Sequence, residues 1–475
     1  MCVSMTDTAS IANDRFGLGA TPQTRVPGDV RGWLAQQLQD FDPAPAGMPR
    51  LLSIEDLILG VADVRNETQM ARRSNDMAEQ EAARESRRDV RQRDRRNLFE
   101  ASAARLRIAA QSETPFAERL VHFWSNHFAV SAERLPVYSL AAEYEFSAIR
   151  RNLSGNFADL LRAAVFHPAM LLFLDQTRSA GPNSTLIQRI NRRRRNAQLG
   201  LNENLAREVL ELHTMGVRSG YTQDDVVELA RALTGWTVAG LGPNGMRRII
   251  EGAPGETAFV EDLHEPGTRT VIGNRYSQNG ALQAIAILGD LAMHPATARH
   301  LATKLARHFI ADTPPESAIA RLERAYLDSG GELSAVYSAL IDAPEAWSAP
   351  RTKFRTPWDW MTASARALGP EAIPRNAQGV HRLMDMLGQP VWYPGNPSGW
   401  GDIASDWASP GALLTRVEVA NRLTANGVRG ADPRSLSAAV LGEALLPSTA
   451  QAIARAEAPT MGMALLLSSP EFMRR

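Results

Sequence analysis

The stretch Asn202-Glu-Asn-Leu-Ala-Arg-Glu-Val-Leu-Glu-Leu-His-Thr-Met-Gly216 constrains this chain more than any other. It sets two amides, three carboxylates, a guanidinium and an imidazole among Leu205, Val209, Leu210, Leu212 and Met215. At about 100° per residue, Asn204, Glu208 and Glu211 fall within about 60° of one another on a helix, with Arg207 at the border. A helix that is apolar over much of its circumference is usually buried. This one would carry two carboxylates inside, and desolvated carboxylates need partners. The expectation is a buried polar site, with His213 nearly opposite the stripe or at the helix end.

A partner for that stripe is written earlier in the chain. Thr114-Pro115-Phe-Ala-Glu118 reads as a helix start, with a Thr cap, proline in the first position and an acid in the first turn. In the helix that follows, Glu118, Arg119, His122 and Asn126 share one face, while Phe123, Trp124 and His127 lie elsewhere on the wheel. The two polar stripes are expected to face each other.

Glu208 and Glu211 are i,i+3 neighbours, and two desolvated carboxylates that close do not both ionise readily. One becomes an acid and the other a base near neutral pH. Arg207 would hold one carboxylate ionised, His122 and Asn126 would orient substrate or water, and Asn204 is a further candidate on the same face. This reading favours hydrolysis or another acid–base reaction. A metal enzyme is the second reading, with Glu208, Glu211, His213 and His122 as ligands. It is weakened by His213 facing away from the carboxylates, and His-Glu-x-x-His does not occur. The third is a structural or interaction protein whose Glu–Arg–Asn network locks helices together.

The rest of the chain supports a mainly α fold. Residues 54–110 hold no proline and one glycine, Gly60. Residues 65–100 contain ten arginines against eight acids, which predicts a long solvated helix or helical hairpin held by i,i+4 pairs. The acids nearly cancel the arginines and aromatics are scarce, so the arm is not a nucleic-acid binder. Residues 192–195 are four arginines in a row, read as a solvated turn, with a phosphate grip as the alternative. Residues 237–277 form a β-containing insertion, with a hairpin expected around 248–250 and 268–272. His300, Lys304 and His308 lie on one helix face near the surface; with Arg307 they could bind an anion. Residues 388–407 place Trp392, Tyr393, Trp400 and Trp407 in a Pro/Gly-rich loop, which suggests a rigid lid or pocket wall. Those three tryptophans, and Arg416 in the final bundle, are candidate binding residues.

Lysine plus arginine and aspartate plus glutamate both number 52, so no global field draws the chain to nucleic acid. The one cysteine, Cys2, excludes an intrachain disulfide or a multi-cysteine metal site. No apolar run is long enough for a membrane span. Residues 1–15 carry Asp7 and Asp14 without an apolar run, so no secretory signal is visible and the cytoplasm is the default. No phosphate-binding loop, dinucleotide fingerprint or Gly-x-Ser-x-Gly elbow is present.

Several motifs together resemble one family. They are Arg15-Phe-Gly-Leu-Gly19, Phe123-Trp-Ser-Asn-His127-Phe, the 202–216 stretch, Tyr221-Thr-Gln-Asp224, Leu233-Thr-Gly-Trp236, His294-Pro-Ala-Thr-Ala-Arg299, Gly388-Gln-Pro390 and Gly399-Trp400. On these the chain resembles the bacterial domain-of-unknown-function 1800 family, from about residue 10 onward. The resemblance implies one large, mainly helical domain and no established reaction. It also implies a co-encoded partner from a family related in fold to alkaline phosphatases and sulfatases. Many members carry an export signal, so a periplasmic location in complex with an exported partner is the alternative to the cytoplasm. Asp359 stands where the family more usually has Glu after Lys353.

Overall fold

The computed structural model describes residues 5–74, 76–193, 200–241, 250–348, 351–427 and 431–475. Among them the chain forms 22 α-helices and two pairs of three-residue strands, the mainly α architecture expected. No helix among them is long and apolar enough to cross a membrane.

The charged arm is a pair of helices, α1 (Ile54–Arg73) and α2 (Met77–Gln111), capped by the side chains of Ser53 and Asp76. The outer part of α2 is solvated. Arg84 and Arg88 share Glu81 at 3.3 and 3.5 Å, all three more than half exposed, so these pairs add little stability. From Asp94 onward α2 turns apolar (Leu98, Phe99, Ala101, Ala103, Leu106) and enters the core.

Four further elements position the site. Helix α3 (Pro115–His127) is buried over nearly its whole circumference. Helix α4 (Asn204–Glu208) continues into a π turn, Val209–His213. Helix α5 (Pro295–Phe309) starts with proline in its first turn, and the His294 ring accepts the Ala296 N–H at 3.1 Å. Helix α6 (Pro357–Leu368) starts with Thr356 accepting the Asp359 N–H at 3.2 Å, and all twelve of its residues are buried.

One continuous apolar core runs from Ile11 to Met473. The Arg15-Phe-Gly-Leu-Gly19 motif helps to close it. Phe16 stacks on Trp347 at 4.9 Å and meets Phe116 edge-on at 5.7 Å. Gly19 has φ +100, and a Cβ there would lie 3.0 Å from Ala363 on α6, so only glycine allows the approach. The carbonyls of Gly17 and Gly19 accept the buried guanidinium N–H groups of Arg119 (2.6 Å) and Arg366 (2.8 Å).

The small β elements differ from expectation in their pairing. Trp236–Val238 pairs with Thr257–Phe259. Arg269–Val271 pairs with Asn274–Tyr276 rather than with residues near 250. Ile272 and Gly273 both have positive φ, the backbone that a two-residue hairpin turn requires. Arg248, and two of the four successive arginines, Arg194 and Arg195, lie outside the described residues.

Candidate active site

The wheel expected for the 202–216 stretch is right about which residues share a face and wrong about which face is inside. Leu205, Ala206, Val209, Leu210 and His213 are buried. Asn204 is exposed, and Arg207, Glu208 and Glu211 are only partly covered. Turning the apolar side inward removes it from water and leaves the carboxylates hydrated, whereas the reverse would strand two charges. Arg207 pairs with Glu203 at 3.1 Å and with Glu211 at 3.6 Å, and it donates to Gln223 at 2.9 Å. Partial burial and neighbouring Glu211 raise the Glu208 carboxyl, with Arg207 pulling the other way.

The π turn gives the stretch a different role. Its wider winding leaves late carbonyls without helical donors. His300 Nε2 donates to the Leu212 carbonyl at 3.2 Å, and His127 Nε2 to the His213 carbonyl at 3.1 Å. Thr214 Oγ1 closes on Val209 at 2.7 Å, and Gly216 ends the element at φ +92. His127 and His213 are fully buried and their ring centroids are 6.3 Å apart. Burial, then the nearby Lys304 and His300, pulls both imidazoles down, His127 well below its ordinary value and His213 to about 3.

The polar stripe of α3 is buried as expected, but its partners come from elsewhere. Glu118 and Arg150 form a two-pronged ion pair at 2.8 Å. Arg119 donates to Asp359 of α6 at 3.0 Å. His122 Nδ1 accepts the indole N–H of Trp358 at 3.1 Å. Asn126 clamps the backbone of Trp400, accepting its N–H at 2.7 Å and donating to its carbonyl at 2.9 Å. Gly399, φ +77, is obligatory beside this clamp, because a Cβ would sit 2.4 Å from the Asn126 carbonyl oxygen.

These contacts enclose a cavity of about 350 Å³ between α3, α5, α6 and the aromatic loop. His122, Asn126, Trp392 and Trp400 line it together with Arg105, Lys304, Arg307, His308, Trp358, Asp359 and Asp402. The aromatic loop is thus a pocket wall. Trp407 stands behind it, 5.9 Å from the Trp400 ring, and donates to the Gly401 carbonyl at 2.9 Å. Arg416 lies outside the cavity lining; it is buried over Phe354 and donates to the Arg355 carbonyl at 2.8 Å. Glu208, Glu211, Asn204 and Arg207 do not line the cavity.

Residues 389–394 form a strap between two cavities. Gln389, Val391, Trp392 and Pro394 face the first, while Pro390 and Tyr393 line a second of about 340 Å³ with Arg95 and His381. Trp392 has φ +58, a strained conformation for a bulky residue, and such strain concentrates at functional sites. It is held by Ala132, whose N–H reaches the Trp392 carbonyl at 2.8 Å, and by Glu145, which accepts the indole N–H at 2.9 Å. Glu145 also accepts from Arg105 (2.6 Å) and Ser125 (2.5 Å), and Arg105 lies over the Trp358 ring at 4.2 Å.

The ionisation states follow from these contacts. Burial pushes the Asp359 carboxyl up, but Arg119 and Arg475 outweigh it and hold it well below the usual range. Asp402 is likewise held low by His308 and Lys353 against its burial. His308 Nδ1 donates to Asp402 Oδ2 at 2.9 Å. Burial still pulls the His308 imidazole below its ordinary value against the attraction of Asp402. Neutral His308 therefore carries its proton on Nδ1 and a lone pair on Nε2. That Nε2 is buried and has no hydrogen-bond partner among the described residues. His122 is the converse. Burial, then Arg105, keeps it neutral, and an indole N–H can only donate, so the His122 proton sits on Nε2. Burial pulls the Lys304 ammonium down to about 8, opposed by Asp402 and aided by Arg307.

The ligand set weighed for a metal is dispersed: Glu208 and Glu211 on the outer side of α4, His213 in the core, His122 against Trp358. Among the described residues no group of three or more His, Cys, Asp or Glu side chains is placed to hold a metal ion. The i,i+4 spacing of Lys304 and His308 was visible in the sequence; the partner of His308, Asp402, 94 positions away, was not.

A mainly helical protein with a desolvated, aromatic-walled polar cavity is the class that fold and site define. The chain belongs to the family described as protein of unknown function DUF1800, which it matches over residues 11–474. No curated protein and no solved structure matches it.

Proposed function

We propose that the cavity carries out hydrolase-like acid–base chemistry on a small molecule, with His308 as general base. The supporting observation is the Asp402–His308 pair: Nδ1–H held by a carboxylate at 2.9 Å, with a buried, unpartnered Nε2 on a ring that lines the cavity. This is the orienter–base relation that activates water or a hydroxyl group. Asp402 sets the tautomer and stabilises the imidazolium formed when Nε2 takes a proton. His122, with its proton on Nε2, supplies a neutral donor for charge developing on the substrate. The tryptophan walls limit water, and Asn126 fixes the backbone of one of them. Glu208 and Glu211, first weighed as acid and base, are better suited to the hydrated surface of α4.

The test is hydrolysis of small nitrophenyl carboxylate, phosphate and sulfate esters by the wild type and by His308→Gln and Asp402→Asn. Turnover of at least one ester should fall by about 10²–10⁴-fold in His308→Gln. Wild-type activity should fade as acid protonates His308, at a pH below the ordinary imidazole value. No turnover across the panel, or turnover indifferent to His308, sinks the reading.

A further inference from the structure

The charges around the cavity do not balance. Arg105 is matched by Glu145 at 2.6 Å. Asp359 is matched by Arg119 and Arg475, each at 3.0 Å. Asp402 is taken by His308 and by Lys353 at 3.4 Å. Asp406, at the exposed rim, accepts the Ile403 N–H at 3.3 Å. That leaves Lys304 and Arg307, one turn apart on α5, both lining the cavity and neither with a hydrogen bond or ion pair among the described residues. Counted alone the lining is balanced, with Arg105, Lys304 and Arg307 against Asp359, Asp402 and Asp406; because Arg119, Arg475 and Lys353 match Asp359 and Asp402 from outside it, Lys304 and Arg307 are the cations left facing the cavity.

We infer that Lys304 and Arg307 form the anchor for an oxyanion, so that the molecule taken by this cavity is a small organic anion. A half-buried ammonium without a direct hydrogen-bond or ion-pair partner is costly, and a bound oxyanion removes that cost while accepting charge-assisted hydrogen bonds from both groups. Burial, and then neighbouring Arg307, lowers the Lys304 ammonium to about 8 although Asp402 pulls the other way. Lys304 lies one turn before His308, which places a bound anion close to the proposed base, while Trp392 and Trp400 offer apolar surface to the rest of the molecule. The inference rests on reading this cavity as the site, and the experiment separates the two.

Binding of inorganic phosphate to the full chain is measured by calorimetry at pH 7 and low salt, for the wild type, for Lys304→Met and Arg307→Met, and for Arg88→Met on the exposed arm as the charge-removal control. Wild type should bind phosphate, more weakly as salt rises. Lys304→Met and Arg307→Met should each lose about tenfold or more in affinity, while Arg88→Met stays within about threefold. Lys304→Met removes an unpaired charge and should melt no lower than wild type; exposed Arg307→Met gives a second reading that burial does not complicate. Absence of phosphate binding to the wild type, or affinity unchanged in both Lys304→Met and Arg307→Met, overturns the inference. Phosphate binding without ester hydrolysis would remove only the general-base reading. Hydrolysis dependent on His308 without phosphate binding would remove only the anion anchor.

Discussion

On α4 and the π turn that continues it, Asn204, Arg207, Glu208 and Glu211 sit at the outer side of the fold and answer mainly to neighbours on their own and adjoining surface elements. On α3, Glu118, Arg119, His122 and Asn126 are largely withdrawn from solvent, and each meets a group from a distant segment: Arg150, Asp359, Trp358 and Trp400. Both stripes are spaced for one helix face, and both look like site material on a wheel. The difference is desolvation. Water supplies hydrogen bonds to the first stripe at no structural cost. The second must find protein partners, and two of them, Trp358 and Trp400, bring α6 and the aromatic loop against α3 at the cavity.

The comparison is broken most sharply at Asp359. Asp359→Asn should leave Arg119 and Arg475 buried without their counter-charge and destabilise the fold by about 3–5 kcal/mol in urea unfolding. A loss below about 1 kcal/mol would mean that solvent reaches this network as freely as it reaches α4.

Acid comes next. His127 and His213 have folded pKa values below the ordinary 6.5, so between the folded and unfolded values the unfolded chain binds more protons. Stability should therefore be complete above about pH 6.5 and fall as pH drops, by about 2 kcal/mol for each imidazole at pH 5. Urea unfolding at pH 7.5 and 5.0 checks this, and His213→Leu should reduce the acid loss by about 2 kcal/mol, His122, His300 and His308 adding to the remainder in the same direction. Equal stability of the wild type at the two pH values would contradict the buried, neutral state of both rings.

The smallest effects belong to the outer stripe. Glu208→Gln and Glu211→Gln should each change unfolding free energy by no more than about 0.5 kcal/mol and leave any ester hydrolysis intact. A hundredfold loss of turnover in either would return these carboxylates to the chemistry and undo the contrast.

Much of the fold was legible from local pattern. The caps at Asp29, Thr222 and Thr356 accept the expected N–H groups, with a reciprocal capping box at Thr222 and Asp225. Helix α3 begins at Pro115 as the Thr114-Pro115 start predicts, although the Thr114 side chain makes no capping hydrogen bond and the proline and Glu118 mark the start instead. The charged arm and the aromatic pocket wall also lie where composition placed them. The site was legible in part: His122, Asn126, Trp392 and Trp400 line the cavity. Glu208 misled because a helical wheel is symmetric about inside and outside when apolar residues surround a polar stripe. Arg416 is a packing guanidinium, and nothing in its neighbours' identities tells that apart from a binding one.

Residue order alone determined that this chain is mainly helical, where many of its helices start and which residues share a face, because capping and periodicity act over one or two turns. Tertiary structure decided which faces lose water. It joined His308 to Asp402, set Lys304 and Arg307 at the cavity without a direct ion pair among the described residues, and gave the carbonyls of the 202–216 stretch to His127 and His300. Desolvation is a property of the assembled interior, and it separates the hydrated carboxylates of α4 from the histidine and lysine of the cavity.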